Sequence, residues 1–456
     1  MIRHILNYLA IAAVIFGTSN VFGESLTSQT LSLDEAITKG LQTNVNLIIA
    51  GTMVDESGGT LERKKSAYLP HVRIETPVAY QTRNLKTQGI DISGMPSVTD
   101  PFKTFDFRVY GDQTLFDLQS YHNIKSSEKD KKARTNDYED VRSQIIRQIA
   151  NNYIVAQYAA AQVETAESRL RTSEVLERLA KNQRDAGVAD GLDLLRAQVQ
   201  LANDRQNLLV VKNSYQQTLL VLERSIGIDM GTPLVLADKL DFKILEPPKI
   251  EQAIKISLES RPDYRSLFAQ RESLEEQLKS SRSRYFPKII ISGNYGDSGQ
   301  EIDSIETSGM IQANLVMPLF DTDRKGERTE LESRLKRIEQ RIADQKLGIE
   351  QDIREALLNL QSAEEQVGVT KSGLELAEKE LQYASDRFKN GVVNNIEVVN
   401  AQDSLARAHD NNLNALAQHA EAKIALAKAL GNTDKTYRLF LGIQETSINN
   451  VRGLKP

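Results

Sequence analysis

Two halves of this chain carry the same landmarks, in the same order, at a fixed spacing. Leu115-Phe116-Asp117 recurs as Leu319-Phe320-Asp321, and at the same offset of 204 residues Gly187 matches Gly391, Ala197-Gln198 matches Ala401-Gln402 and Ile226-Gly227 matches Leu430-Gly431. Upstream, Tyr68-Leu69-Pro70 matches Tyr285-Phe286-Pro287 and Ala36 matches Ala253, both at an offset of 217. The difference of 13 residues falls between positions 70 and 115, so the first repeat carries the longer loop there. Ordered matches at fixed offsets mark a duplicated supersecondary unit.

Each unit reads as helix, strand pair, long helix, helix. In the second unit Ile353, Leu360, Val367, Leu374, Leu381 and Phe388 stand seven residues apart, and in the first Ile149, Ala156, Val163 and Leu170 do the same. Sustained heptads among charged residues make helices that pack side by side along narrow seams. The expected helices are 36–68, 118–186 and 192–226 in the first unit (24–227), and 251–284, 322–389 and 395–430 in the second (251–431). A linker at 228–250 joins the units, and a tail follows at 432–456. A helix over 118–186 is ~100 Å long, and the helices at 36–68 and 192–226 stacked end to end span the same length. Gly58-Gly59 predicts a break in the first short helix.

Between the helices the period changes to two. Phe105, Phe107 and Val109 alternate with Asp106, Arg108 and Tyr110, and Ile311, Ala313, Leu315 and Met317 alternate with Gln312, Asn314 and Val316. Strands are expected at 71–83, 104–116, 288–297 and 307–319. Alternation alone fits a membrane β-barrel and two soluble hairpins on a helical body equally. If the strands cross a membrane, four cannot close a barrel, because bacterial examples start at ~8, and other subunits must complete it. Three copies supply twelve.

Composition narrows the function classes. With 57 basic and 62 acidic residues the chain has no basic field for nucleic acid. It has no cysteine, hence no disulfide, thiolate nucleophile or lipid-bearing Cys. None of the five histidines has a partner at metal-ligand spacing, and no phosphate loop or nucleophile elbow is present. The reading is therefore of a non-enzyme without cofactor or metal. Residues 1–23 read as a signal peptide: Arg3 and His4, an apolar run from Tyr8 to Phe16, and a cut after Gly23.

With the repeats, the "YLP" and "YFP" strand entries, the "LFD" strand exits and the turns Gly187-x5-Asp193-Leu194 and Gly391-x5-Glu397-Val398, the chain resembles the outer-membrane efflux protein family typified by TolC over residues 31–441. The resemblance implies a mainly α homotrimer: a twelve-stranded barrel in outer-membrane lipid, and a helical tunnel in the periplasm of a Gram-negative bacterium. It implies a passive conduit for tripartite efflux or type I secretion, with a periplasmic adaptor protein and an inner-membrane transporter of RND or ABC type as partners. The adaptor would meet the tip at Gly187, Asp190, Asp193, Leu194, Gly391, Glu397 and Val398. The family's acidic pair, six and nine residues before the second glycine, falls here on Ser385 and Gln382. A tunnel entrance at Gln382, Ser385 and Asp386 therefore lacks that ring. Asp193, Glu397 and the pair Asp321 and Asp323 read as helix-terminal residues, and His419, matching Tyr215, as a packed residue. The competing reading is a structural coiled-coil protein of the cell envelope.

Overall fold

A computed structural model describes residues 29–442, apart from 91, 188–189, 302, 321, 391, 394 and 432. The expected signal peptide lies outside these residues, as do Gly391 and Asp321. Two helices dominate. Leu118–Asp185 (α3, 68 residues) and Asp323–Lys389 (α7, 67 residues) run without interruption, each ~100 Å long at about 1.5 Å per residue. Asp117 starts α3 by accepting a hydrogen bond from the Gln119 amide, 3.0 Å, and so satisfies one of the unpaired amides of the first turn. The residue before α7 is Thr322, whose side chain makes no capping bond; Asp323 lies inside the first turn, where a carboxylate meets the positive end of the dipole.

The shorter helices flank these two. Leu33–Thr43 (α1) and Val45–Lys65 (α2) precede the first strands, and Gly191–Ile226 (α4) follows α3. Ile250–Ser260 (α5) and Pro262–Ser283 (α6) precede the second strands, Asn395–Ala429 (α8) follows α7, and Thr433–Phe440 (α9) ends the described chain. α3 is the spine: α2, α4, α6 and α8 all pack on it, while α7 touches α6 and α8 and lies at an edge.

Four expectations need correction. The helix expected at 36–68 is two helices, and they part at Asn44, not at Gly58-Gly59. Asn44 is extended and its side chain accepts from the Asn46 amide, 3.0 Å, a capping role Asn fills well. α2 runs through both glycines because packing on α3 outweighs their cost of about 1 kcal/mol each. The helix expected at 251–284 is likewise divided: Pro262 has no amide to give and stands at the first position of α6. The strand expected at 71–83 is interrupted at Thr76-Pro77, and the one expected at 307–319 ends at Val316, ahead of Pro318, since proline cannot donate to a ladder.

The strands are His71–Glu75 (β2), Val78–Gln81 (β3), Phe102–Phe116 (β4), Lys288–Gly299 (β6) and Glu306–Val316 (β7). They form one antiparallel sheet in which β2 and β3 share one edge of β4, followed by β6 and β7. Two short strands, Gln29–Leu31 (β1) and Leu234–Leu236 (β5), pair in parallel near the middle of the helical body.

The largest core lies there too, where Ile37, Ile146, Ile149, Tyr153, Leu222, Ile226 and Tyr437 are almost fully buried. The Tyr153 hydroxyl donates to the Leu31 carbonyl at 2.9 Å and lies 3.0 Å from an Asp238 carboxylate oxygen, which also accepts the Leu33 amide at 2.8 Å. The belt is fastened twice by one device. Thr43 Oγ1 donates to the Ile226 carbonyl at 2.7 Å, and Ser260 Oγ donates to the Leu430 carbonyl at 2.5 Å. Gly227 and Gly431 follow those carbonyls with φ of +66° and +78°. A Cβ on Gly227 would stand 2.5 Å from Thr43 Oγ1. Gly227→Ala combines a left-handed backbone penalty of about 1–2 kcal/mol with that overlap. It is expected to lower the thermal midpoint of the purified protein, whereas Gly187→Ala, with open space around its Cβ position, carries the backbone penalty alone.

Candidate functional site: the two-faced sheet and the helix tips

Alternation places the sheet's two faces in different chemistry. One carries Val72, Ile74, Phe107, Val109, Tyr295, Ile311 and Leu315, aligned by Ile74↔Val109, Val109↔Tyr295 and Gly293↔Ile311. These side chains are exposed, Ile311 by 86%. The other face is a polar network centred on Arg108. Its guanidinium pairs with Asp106 at 2.8 Å and donates to Asn294 Oδ1 at 2.8 Å and Ser308 Oγ at 2.7 Å. Arg73 extends the network to Asp112 at 3.0 Å and lies over the Tyr110 ring, 5.0 Å from its centroid. Such a sheet is dressed for lipid on one side and water on the other.

At the opposite end of the long helices, Gly187 turns the chain from α3 into α4 with φ of +70°. Asp190 precedes α4 without a side-chain capping bond. Asp193 sits in the first turn, 3.6 Å from Arg196. Glu397 sits in the first turn of α8 and pairs with Arg387 at 3.4 Å. Leu194 packs with Ala180 and Ala197, and Val398 with Leu176, Ala384 and Phe388, so both side chains face inward. The apolar groups the tip shows to solvent are instead Leu192, Leu195, Val392 and Ile396. Sequence reasoning missed these, although each lies within two residues of a position it named. Gln382 and Asp386 are exposed and Ser385 is partly covered; Asp386 is 3.5 Å from Lys389. The two tips are joined: Asn395 Nδ2 donates to the Asp193 carbonyl at 3.2 Å. Higher up, Arg169 on α3 bridges Asp204 on α4 and Asp403 on α8, at 2.6 Å each.

In the belt, two titratable side chains of α8 are buried. His419 lies against Phe242, ring centroids 4.9 Å apart, and burial, helped by nearby Lys423, takes its pKa down to about 4. Burial and the repulsion of Lys243 take the Lys423 pKa down to about 8, with Asp241 and Glu364 opposing. Among the described residues no cluster of acids and histidines could hold a metal ion, and no helix is long and apolar enough to cross a membrane.

A long-helix body ending in a two-faced sheet with open edges is the architecture of the chain. The model of the family described as "Outer membrane efflux protein" matches residues 42–228 and 253–432, and the chain belongs to that family. It is similar to the pyoverdine export outer membrane protein OpmQ of Pseudomonas aeruginosa, 22% identical over 411 residues, covering 88% of this chain and 82% of that protein. Among solved structures it resembles the outer membrane protein VceC of Vibrio cholerae (TM-score 0.73, 17% identity, 88% of this chain and 96% of that one). It also resembles the open state of the MtrE outer membrane channel of Neisseria gonorrhoeae (TM-score 0.74, 17% identity, 88% and 89%). The protein is an outer-membrane efflux channel that extends into the periplasm.

The buried imidazole sets a pH dependence. Its folded pKa is depressed, so between about 4 and the ordinary 6.5 the unfolded chain binds a proton that the folded one does not. Stability is therefore full above that window and falls as pH drops through it, by roughly 3 kcal/mol from this group. His419→Phe, placed beside Phe242, is expected to flatten the profile; thermal melts of both proteins at several pH values across the window check it.

Proposed function

We propose that three copies of this chain join head to tail into a conduit whose strands close a single twelve-stranded barrel and whose helices wall a periplasmic tunnel. The observation that carries the reading is the two-faced sheet with open edges on β2, β3 and β7. Exposed amides along an edge cannot be left unpaired in lipid, and the opposite edge of the next copy is their natural partner.

The helices support the same arrangement. Leu347, Leu358 and Val369 stand eleven residues apart on α7 and are all exposed; Leu376 and Tyr383 continue the stripe. Val199, Val210 and Val221 stand eleven apart on α4 and are exposed as well. An eleven-residue repeat makes almost straight stripes along a helix. Counted from the tip turns, Leu358 and Val221 stand within about one residue's rise of the same height, as do Val369 and Val210. Ile48, Ile49 and Met53 on α2 are exposed at the level of Leu347. The stripe on α7 of one copy thus fits the column of α2 and α4 on the next, a heterologous contact that closes into a ring.

Substrate would pass without chemistry, driven by an inner-membrane transporter of the RND or ABC type through a periplasmic adaptor. The adaptor's docking site is the tip, with Gly187, Asp190, Asp193 and Glu397 shaping the turns and Leu192, Leu195, Val392 and Ile396 offering apolar contact, as a helical hairpin in a groove requires. Gln382, Ser385 and Asp386 would line the entrance.

The absence of cysteine makes the ring testable. In a Val210→Cys, Val369→Cys double variant, mild oxidation is expected to give a covalent trimer on a non-reducing gel, while either single variant gives none. A product that stops at dimer would indicate a two-fold contact and sink the head-to-tail ring.

A further inference from the structure

The sheet and the four helices that feed it meet at one level. His71 pairs with Asp112, Phe116 with Ile289 and Lys288 with Val316, so the ends of α2 and α6 and the starts of α3 and α7 share the lower rim of the sheet. Residues 62–71, 117–121, 279–288 and 322–328 make up this rim; they hold ten lysines and arginines against four acids, in a chain whose net charge is -5. The tip shows no such excess. Residues 181–198 and 382–400 together hold five of each sign.

Part of the rim's charge has a local cause. Arg63, Lys64 and Lys65 end α2, and Arg282 ends α6, where cations suit the negative end of the helix dipole. That cause fails for α7. Lys325 and Arg328 lie at its beginning, where the dipole repels them. Lys288 opens a strand. Some cations are answered within the chain: Lys65 by Glu62, Arg284 by Glu327 and Arg328 by Glu332, at 2.7–2.8 Å. Arg63, Lys64 and Lys325 are exposed and are not among the ion pairs of the described residues. Exposed apolar side chains share the level: Leu69, Tyr285, Phe286 and, at 88%, Phe320.

We propose that this rim is a collar for the headgroups of anionic phospholipid in the membrane leaflet facing the helical body. The inference rests on the barrel reading above. The apolar face of the sheet fixes where acyl chains end, the rim begins there, and it combines the two groups that suit such an interface: aromatic and aliphatic side chains at the acyl boundary, and cations on the phosphates. Each unpaired Lys or Arg adds attraction that salt screens.

The test uses the full chain reconstituted in vesicles of phosphatidylcholine alone, or of phosphatidylcholine mixed with an equal amount of phosphatidylglycerol, with thermal unfolding followed by helical circular dichroism. The midpoint is expected to be higher in the mixed vesicles, and the gain to vanish in concentrated sodium chloride. The Arg63→Gln, Lys64→Gln, Lys325→Gln variant should lose most of the gain while keeping its midpoint in phosphatidylcholine, and Arg63→Lys with Lys325→Arg should retain it. Equal midpoints for the unmodified chain in the two vesicles would overturn the proposal. So would a triple variant that keeps the gain, or inorganic phosphate reproducing it in phosphatidylcholine, which would mark a free-anion site. Flotation separates the two levels of inference: a chain that does not travel with phosphatidylcholine vesicles at all refutes the barrel, and the collar with it.

Discussion

A peptide amide in hydrocarbon has no water to bond to, and this constraint organises the molecule. In the proposed barrel the apolar face formed by Val72, Ile74, Phe107, Val109, Ile311 and Leu315 meets lipid, yet in one chain β2, β3 and β7 leave two edges open. One chain satisfies its backbone only along β4 and β6. In the proposed barrel the remaining amides are met by other copies, which would make assembly a condition of the fold rather than an addition to it. The helices carry the same incompleteness downward: α3 is flanked by α2, α4, α6 and α8, whereas α7 stays at the edge with its stripe bare.

The belt turns these incomplete surfaces into one defined shape. Long helices with polar flanks and narrow apolar seams slide and tilt easily, because each contact is weak and repeats along the axis. The core around Tyr153 and Tyr437 fixes the register at one height. The hydroxyl-to-carbonyl bonds from Thr43 and Ser260, each beside a left-handed glycine, fasten a helix junction of each repeat to the end of the long-range partner helix. Stability is thereby concentrated at mid-height. The tip is held by the smaller apolar clusters around Phe388 and Leu194, by Asn395 and by a few ion pairs.

Much of this was legible in the residues. The duplicated landmarks and the heptads give the element order, and period-two alternation separates the two faces of the sheet. What sequence misplaced were interruptions. Gly58-Gly59 looks like a break on propensity, but neighbours on α3 hold α2 straight. Asn44 and Pro262 look ordinary within a helical period, yet capping and the missing amide divide the helices there. The candidate tip residues were found through the turn glycine and the acids that shape the hairpin. Those features fix where the chain reverses and say little about which side chains face out. A one-position rotation on a helix of 3.6 residues per turn separates buried Leu194 from exposed Leu195, and only the packing against Ala180 and Ala197 decides between them.

Charge divides the duct along its length. Beneath the sheet the excess is positive, while the tip is balanced and four of its five acids have a cation nearby: Asp185 with Arg184, Asp193 with Arg196, Asp386 with Lys389, Glu397 with Arg387. Paired charges at a surface project little field beyond a Debye length. With Gln382 and Ser385 in place of a carboxylate pair, the proposed entrance has no strong electrostatic ring, so its closure would depend on how the helices pack. The structural counterpart is Arg169, which lies about one-quarter of the way up α3 and holds two neighbouring helices through Asp204 and Asp403. Asp204 is almost fully buried, and a buried carboxylate stripped of its cation costs several kcal/mol. Any widening of the tip that parts α3 from α4 must meet that cost, whereas parting α3 from the exposed Asp403 on α8 costs far less. The buried ion pair therefore ties α3 to α4 more firmly than the exposed one ties α3 to α8.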